Sequence, residues 1–284
     1  MPLFFFARST FSSRSVCYNR RMGATSENIQ GKWVARIFWL FLYFLCLYLA
    51  VNAIPFSRFL ASEHLCLGLS LLAKTLLFGY AVWECFRPRN RALFSFHRLG
   101  RKDFLWLPLI VPCLSNILYA ACFSRAFSPA LDAGKAALAF ADDLVVAIME
   151  EILFRGFLFM FFLTLFQDKK KGAVYAILLS SIAFGAIHLV NIFSNPPMAV
   201  LAQVGYSFLL GVVLSLVYLG SENFVLPVLG HFLFNALNDT VPSMFLSYSM
   251  DTAYYIWNAV LGVFALLYAV GIAIVMERRK NHVS

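Results

Sequence analysis

Glu150 and Glu151 stand side by side in an otherwise apolar run, with Arg155 four positions further on. Two other apolar stretches carry polar side chains of the kinds that do chemistry. One reads Phe184-Gly-Ala-Ile-His188; the other reads His231-Phe-Leu-Phe-Asn235, with Asn238 three residues later. Glu151 and Arg155 are spaced i,i+4 in the favourable acid-first order, so they can pair along one helix face. Glu150 points about 100° away around the same helix and has no such partner. An unpaired carboxylate in a low dielectric is poised to take up a proton, as a general base must. His231, Asn235 and Asn238 fall at i, i+4 and i+7, one polar stripe through an aromatic helix.

Glutamate, two histidines and an asparagine permit three chemistries. Glu150 with His188 can deprotonate a water that attacks a carbonyl, with His231 and Asn235 donating to the oxyanion; each such donor is typically worth ~2.7–4 kcal/mol. Glu150, His188 and His231 also match a catalytic zinc set with an open position, although no HExxH is present. A di-iron carboxylate site needs Glu-x-x-His pairs. Neither histidine has a glutamate three residues before it, which removes that option. Taken singly, each group also has a structural explanation: an interhelical hydrogen bond for a histidine, a helix lock for Glu151–Arg155. Three apolar segments each contributing such groups point to a site instead.

These groups must be positioned by membrane helices. The 284 residues are 61% hydrophobic and 13% charged, with 31 phenylalanines and a mean hydropathy of +0.77. Soluble domains carry about 25% charged residues. The pattern predicts an all-α bundle of eight spans near Trp33–Ile54, Leu65–Phe86, Phe104–Phe123, Leu144–Phe166, Gly172–Phe193, Met198–Leu219, Phe224–Leu246 and Tyr254–Met276, each about the ~20 residues a bilayer needs. The stretch Ala130–Asp143 either lies in the interface or extends the fourth span. Asp142 and Asp143 are expected at a helix start, where acids suit the dipole, and Lys74 is expected to snorkel or pair locally.

A domain division follows: a basic polar tail at 1–32, a bundle at 33–276 whose site-bearing core is about 140–247, and a short basic tail at 277–284. The first tail resembles an organelle transit peptide or an over-extended start before Met22. The net charge of +9 lies in short loops and shows no basic stripe with interleaved aromatics, which argues against nucleic acid. Basic residues cluster in the first tail and early first span, the second loop, Lys169–Lys171 and Arg278–Lys280. By the positive-inside rule both termini are cytoplasmic, and an even number of spans is required. The six cysteines show no CxxC spacing, and five lie in or beside apolar runs as small hydrophobes. One sum fails to close. At 1.5 Å per residue from the cytoplasmic ends, Glu150 and His188 lie roughly 24–26 Å deep but His231 only about 10–14 Å, unless Pro227 breaks the start of its span.

Glu150-Glu151-x-x-Phe154-Arg155, Phe184-x-x-x-His188 and His231-x-x-x-Asn235 resemble the three ordered motifs of the CPBP family. That family comprises type II CAAX prenyl proteases and bacteriocin-processing or self-immunity membrane proteins. The resemblance covers residues 150–235, and no motif position departs from the pattern. It implies a helical membrane fold with a cavity among the motif-bearing helices, and a glutamate-dependent endopeptidase. Glu150 and His188 would activate water, and His231 and Asn235 would stabilise the transition state, with Glu151, Arg155 and Phe184 in support. The substrate implied is a peptide or a lipidated protein, met in the bilayer. No cofactor is needed in the preferred mechanism; a divalent metal such as zinc would take Glu150, His188 and His231. The membrane would be the plasma membrane in a bacterium, and the endoplasmic reticulum or an organelle membrane in a eukaryote. The alternatives are a non-catalytic scaffold or immunity protein on the same fold and, ranked last, a proton-coupled transporter. Transporters tend to show paired repeats, and none is visible here.

Overall fold

The computed structural model describes residues 26–54, 62–87, 94, 96, 99–123, 126–127, 132–169, 171–247 and 251–281. The basic tail with Met22, and most of the Arg-rich second loop, lie outside the described residues. Helices dominate, as a lipid-facing chain requires, because only internal hydrogen bonding satisfies the backbone there. In chain order they are α1 (Ser26–Asn52), α2 (Glu63–Phe86), a 3₁₀ segment Arg101–Leu109, α3 (Ile110–Cys113), α4 (Ser115–Phe123) and α5 (Ala133–Glu151). A π segment, Ile152–Phe159, continues α5 into α6 (Met160–Leu165). Then come α7 (Gly172–Ile187), a 3₁₀ segment His188–Phe193, α8 (Pro197–Ser221), α9 (Val225–Asn235), a second π segment Ala236–Thr240, α10 (Val241–Phe245) and α11 (Thr252–Asn281). A two-residue antiparallel bridge, Ala126–Phe127 against Leu246–Ser247, is the one extended pairing among the described residues.

Among the described residues, five helical stretches are long and apolar enough to cross a membrane: Gly31–Asn52, His64–Glu84, Gly172–Phe193, Pro197–Ser221 and Thr252–Val275. The pair Asp103–Cys113 and Ser115–Phe123, bent by 43°, makes a sixth if it counts as one span. The chain is a polytopic membrane protein. Its outer faces expose large apolar side chains, among them Trp39, Leu76, Phe104, Phe193 and Leu267.

The two other expected spans are helical but differ in kind. Residues 144–166 carry Glu150, Glu151 and Arg155 and lie inside the protein: all of Met149–Met160 is buried. The helix reaches back to Ala133 with Asp132 as its N-cap, so Ala130–Asp143 largely extends this element. Asp142 and Asp143 therefore stand in mid-helix and not at a helix start, which corrects the expectation. Lys74 on α2 reaches Asp142 at 2.8 Å, and Thr240 donates to Asp143 at 2.6 Å. The other expected span, 224–246, is broken into α9, a π segment and α10, with a shorter apolar run over Val225–Asn238.

Small residues set the helix spacing around the site. A Cβ at Gly211 on α8 would lie 2.9 Å from Ser181 Cβ on α7, and one at Gly185 would lie 2.9 Å from the Val204 carbonyl. Close helix approach without side chains in between is how such helices associate in lipid.

Candidate active site

Arg155 is the largest fully buried side chain among the described residues, and Glu151 beside it has no exposure. Their i,i+4 pairing holds, with Arg155 Nη1 2.8 Å from Glu151 Oε1. Nη1 is close enough for an ion pair yet has no aligned hydrogen bond; we take the contact as electrostatic. Arg155 Nη2 donates to the Gly211 carbonyl at 3.4 Å, and its guanidinium lies 4.5 Å over the Phe184 ring, a cation–π contact. Glu151 thus ties its own helix to α7 and α8 through Arg155.

Glu151 Oε1 has a second partner, His231 Nδ1 on α9, at 2.8 Å. This contact turns the other ring nitrogen, Nε2, toward Glu150 Oε2, 3.6 Å away. That separation is too long for a hydrogen bond. Glu150 is not the partnerless carboxylate that helix spacing suggests. The Tyr48 hydroxyl, from α1, donates to its Oε1 at 2.6 Å. One carboxylate oxygen is therefore engaged, and the other faces an imidazole nitrogen.

His188 sits where α7 tightens into a 3₁₀ turn, and its Nδ1 lies 2.9 Å from the Phe184 carbonyl. A carbonyl can only accept, so this contact places the proton on Nδ1 and leaves Nε2 as an acceptor. The Phe184 ring meets both imidazoles edge to face, at 5.4 Å from His188 and 5.5 Å from His231. No hydrogen bond or ion pair joins His188 to Glu150 among the described residues, and the half-buried Asn235 side chain makes no hydrogen bond there. The structure therefore brings Glu150, Glu151, Arg155, Phe184 and His231 together directly and leaves His188 and Asn235 at the margin. Asn238 belongs elsewhere: its Oδ1 accepts from the Asn116 backbone at 3.0 Å, in a network that continues through Asn258 and Ser115.

The turn between α8 and α9 is inside the protein: Ser221, Asn223 and Phe224 are buried, and Asn223 Oδ1 accepts from Val225 N at 3.1 Å. Phe94 and Phe96 cover Phe224 with ring centroids 5.0 and 6.0 Å away. Helix α9 therefore starts at a buried turn and runs unbroken through Pro227.

Each motif also sits at a change of helix type. The first π segment begins directly after Glu151, the second directly after Asn235, and the 3₁₀ turn begins at His188. π turns are rare and concentrate at functional sites.

Among the described residues, no group of three or more His, Cys, Asp or Glu is placed to hold a metal ion. Glu150 and His231 approach each other at 3.6 Å, and His188 shares no hydrogen bond or ion pair with either among the described residues.

Fold and site define a class: a multi-pass membrane protein with a glutamate–histidine cluster enclosed by its helices. The family model described as "Type II CAAX prenyl endopeptidase Rce1-like" matches residues 132–237, the stretch that holds all three motifs. The match supports the CPBP and CAAX prenyl protease family, and at that level an intramembrane protease. No curated protein and no solved structure matches the chain.

Proposed function

We propose that the chain is an intramembrane endopeptidase in which Glu150 is the general base. The observation that supports this reading most directly is the asymmetric setting of the Glu150 carboxylate. Tyr48 holds Oε1, while Oε2 faces His231 Nε2 across 3.6 Å. A water at Oε2, shared with the free Nε2 of His188 as the family's motifs imply, would lose its proton to Glu150 as its oxygen attacks the peptide carbonyl. The tetrahedral oxyanion would be met by His231, with Asn235 as second donor. Glu151 keeps the His231 ring oriented through Nδ1, in the manner of the acid member of a catalytic triad. Glu150 then returns its proton to the leaving amine as the C–N bond breaks.

The substrate is a peptide or the C-terminus of a lipidated protein, presented from the bilayer. We place both termini on the cytoplasmic side on the strength of the lysine and arginine distribution. The test is cleavage of candidate peptides, prenylated and not, by purified wild type, Glu150→Gln and His188→Ala, each with and without chelator. Loss of about 10²-fold or more in kcat for Glu150→Gln is expected, within the range that general-base catalysis supplies. Retained activity in both variants refutes the mechanism, and activity abolished by chelator refutes its metal-free form.

A further inference from the structure

We infer that Tyr48 is a positioning residue for the proposed catalytic carboxylate, which makes α1 part of the active site. The inference rests on the proposed role of Glu150. Tyr48 lies outside the segment 132–237 that carries the family likeness, and none of the three motifs includes it.

The placement follows from the pattern of α1. Ile37, Phe41, Phe44 and Tyr48 recur at i, i+4, i+7 and i+11, one stripe along the helix. The first three are buried, and the two phenylalanines dock on the chain that leaves the glutamates. Phe41 meets Phe154 edge to face at 5.9 Å, and Phe44 stacks on Phe157 at 5.9 Å with 4° between the planes. Phe38, alongside, meets Phe161 at 5.1 Å. The contacts run from Phe38–Phe161 at one end to Tyr48–Glu150 at the other, so α1 lies antiparallel to the π segment. Its next inward residue, Tyr48, reaches back to Glu150.

These apolar anchors fix the direction of one hydroxyl, which donates to Glu150 Oε1 at 2.6 Å. A carboxylate can turn about its last bond, and this contact stops the turn. With Oε1 held, Oε2 stays beside His231 Nε2, where the water must be bound. Tyr48 touches neither water nor peptide in this arrangement; it acts through Glu150.

The experiment compares Tyr48→Phe with wild type in a detergent-purified cleavage assay, separating kcat from KM. The variant keeps the ring and its packing and removes the hydroxyl alone. Tyr268→Phe is the control, since its hydroxyl donates to the Leu105 carbonyl at 2.8 Å, a bond between elements remote from the glutamates. A hydrogen bond to a charged group is worth enough to predict a fall in kcat of about ten- to hundredfold for Tyr48→Phe. KM stays within about twofold, and Tyr268→Phe keeps the wild-type kcat. An unchanged kcat in Tyr48→Phe overturns the inference while leaving the endopeptidase intact. A fall that only tracks the loss of folded protein also overturns it, because that is a packing effect. Wild type that cleaves no substrate overturns the endopeptidase and this inference with it.

Discussion

Arg155→Met takes away the guanidinium paired with Glu151 and leaves its carboxylate buried. Glu151 and Arg155 are 0% and 1% exposed, their charges approach to 2.8 Å, and His231 is the other contact of the same oxygen. Removing one member of a buried ion pair costs about 3–5 kcal/mol, because the remaining charge has lost both water and partner. The lost guanidinium–Phe184 contact adds roughly 0.5–2 kcal/mol. The Gly211 carbonyl does not become unsatisfied, since Ser215 Oγ also donates to it at 2.8 Å. Glu151→Gln/Arg155→Met removes both charges at similar volume, and such replacements are often neutral or stabilising. The double variant should therefore recover most of the single variant's loss, a coupling of at least about 2 kcal/mol. Denaturant unfolding in detergent micelles, followed by circular dichroism and run on all four members of the cycle, measures it. A single-variant loss under about 1 kcal/mol would show that the Glu151 charge is not buried at Arg155's expense. A double variant no more stable than the single would refute the electrostatic account. Activity should not recover in the double variant, because it lacks the Glu151 carboxylate that orients His231 through Nδ1.

Two further outcomes test the frame around the site. Gly211→Leu should loosen α7 from α8, because even a Cβ would lie 2.9 Å from Ser181 Cβ; overpacking of this kind costs about 1–3 kcal/mol and should lower the melting temperature, whereas Gly205→Ala, with open space around it, should not. At the N-terminus of α5, backbone donation from Lys135 holds the Asp132 carboxyl below its usual range, with His64 at 3.0 Å adding to the effect. A depressed folded value means that stability is present above the usual carboxylate range and is lost as pH falls through the folded value. The melting difference between wild type and Asp132→Ala should accordingly be full near neutral pH and vanish in acid; a pH-independent difference would contradict it.

Much of the site was legible because its members obey local rules. The Glu151–Arg155 pair follows from i,i+4 spacing on one helix, and the three polar groups are conspicuous where lipid excludes their kind. The partners of Glu150 were not legible. Tyr48 is 102 positions away, and a tyrosine in an apolar helix, within a chain of 12 tyrosines and 31 phenylalanines, carries no mark of its own. The π segments were equally invisible, since no residue type signals the widened backbone turn that follows Glu151 and Asn235. Span prediction held for helices that face lipid and weakened for residues 144–166 and 224–246. The first holds Glu150, Glu151 and Arg155 in one run enclosed by protein, and the second is an apolar helix only over Val225–Asn238.

That enclosure is also the reason a chain this apolar can keep two glutamates. In lipid a charged side chain at a helix centre costs about 2.5–3.5 kcal/mol even on insertion scales. Here the first carboxylate meets a tyrosine and faces a histidine, and the second meets a histidine and an arginine. The two share His231, whose nitrogens point one to each. The two glutamates therefore stand in different settings. Glu151 is engaged at Oε1 by both Arg155 and His231. Glu150, with one oxygen tied and one facing the imidazole, is the carboxylate that the proposed mechanism uses as its base.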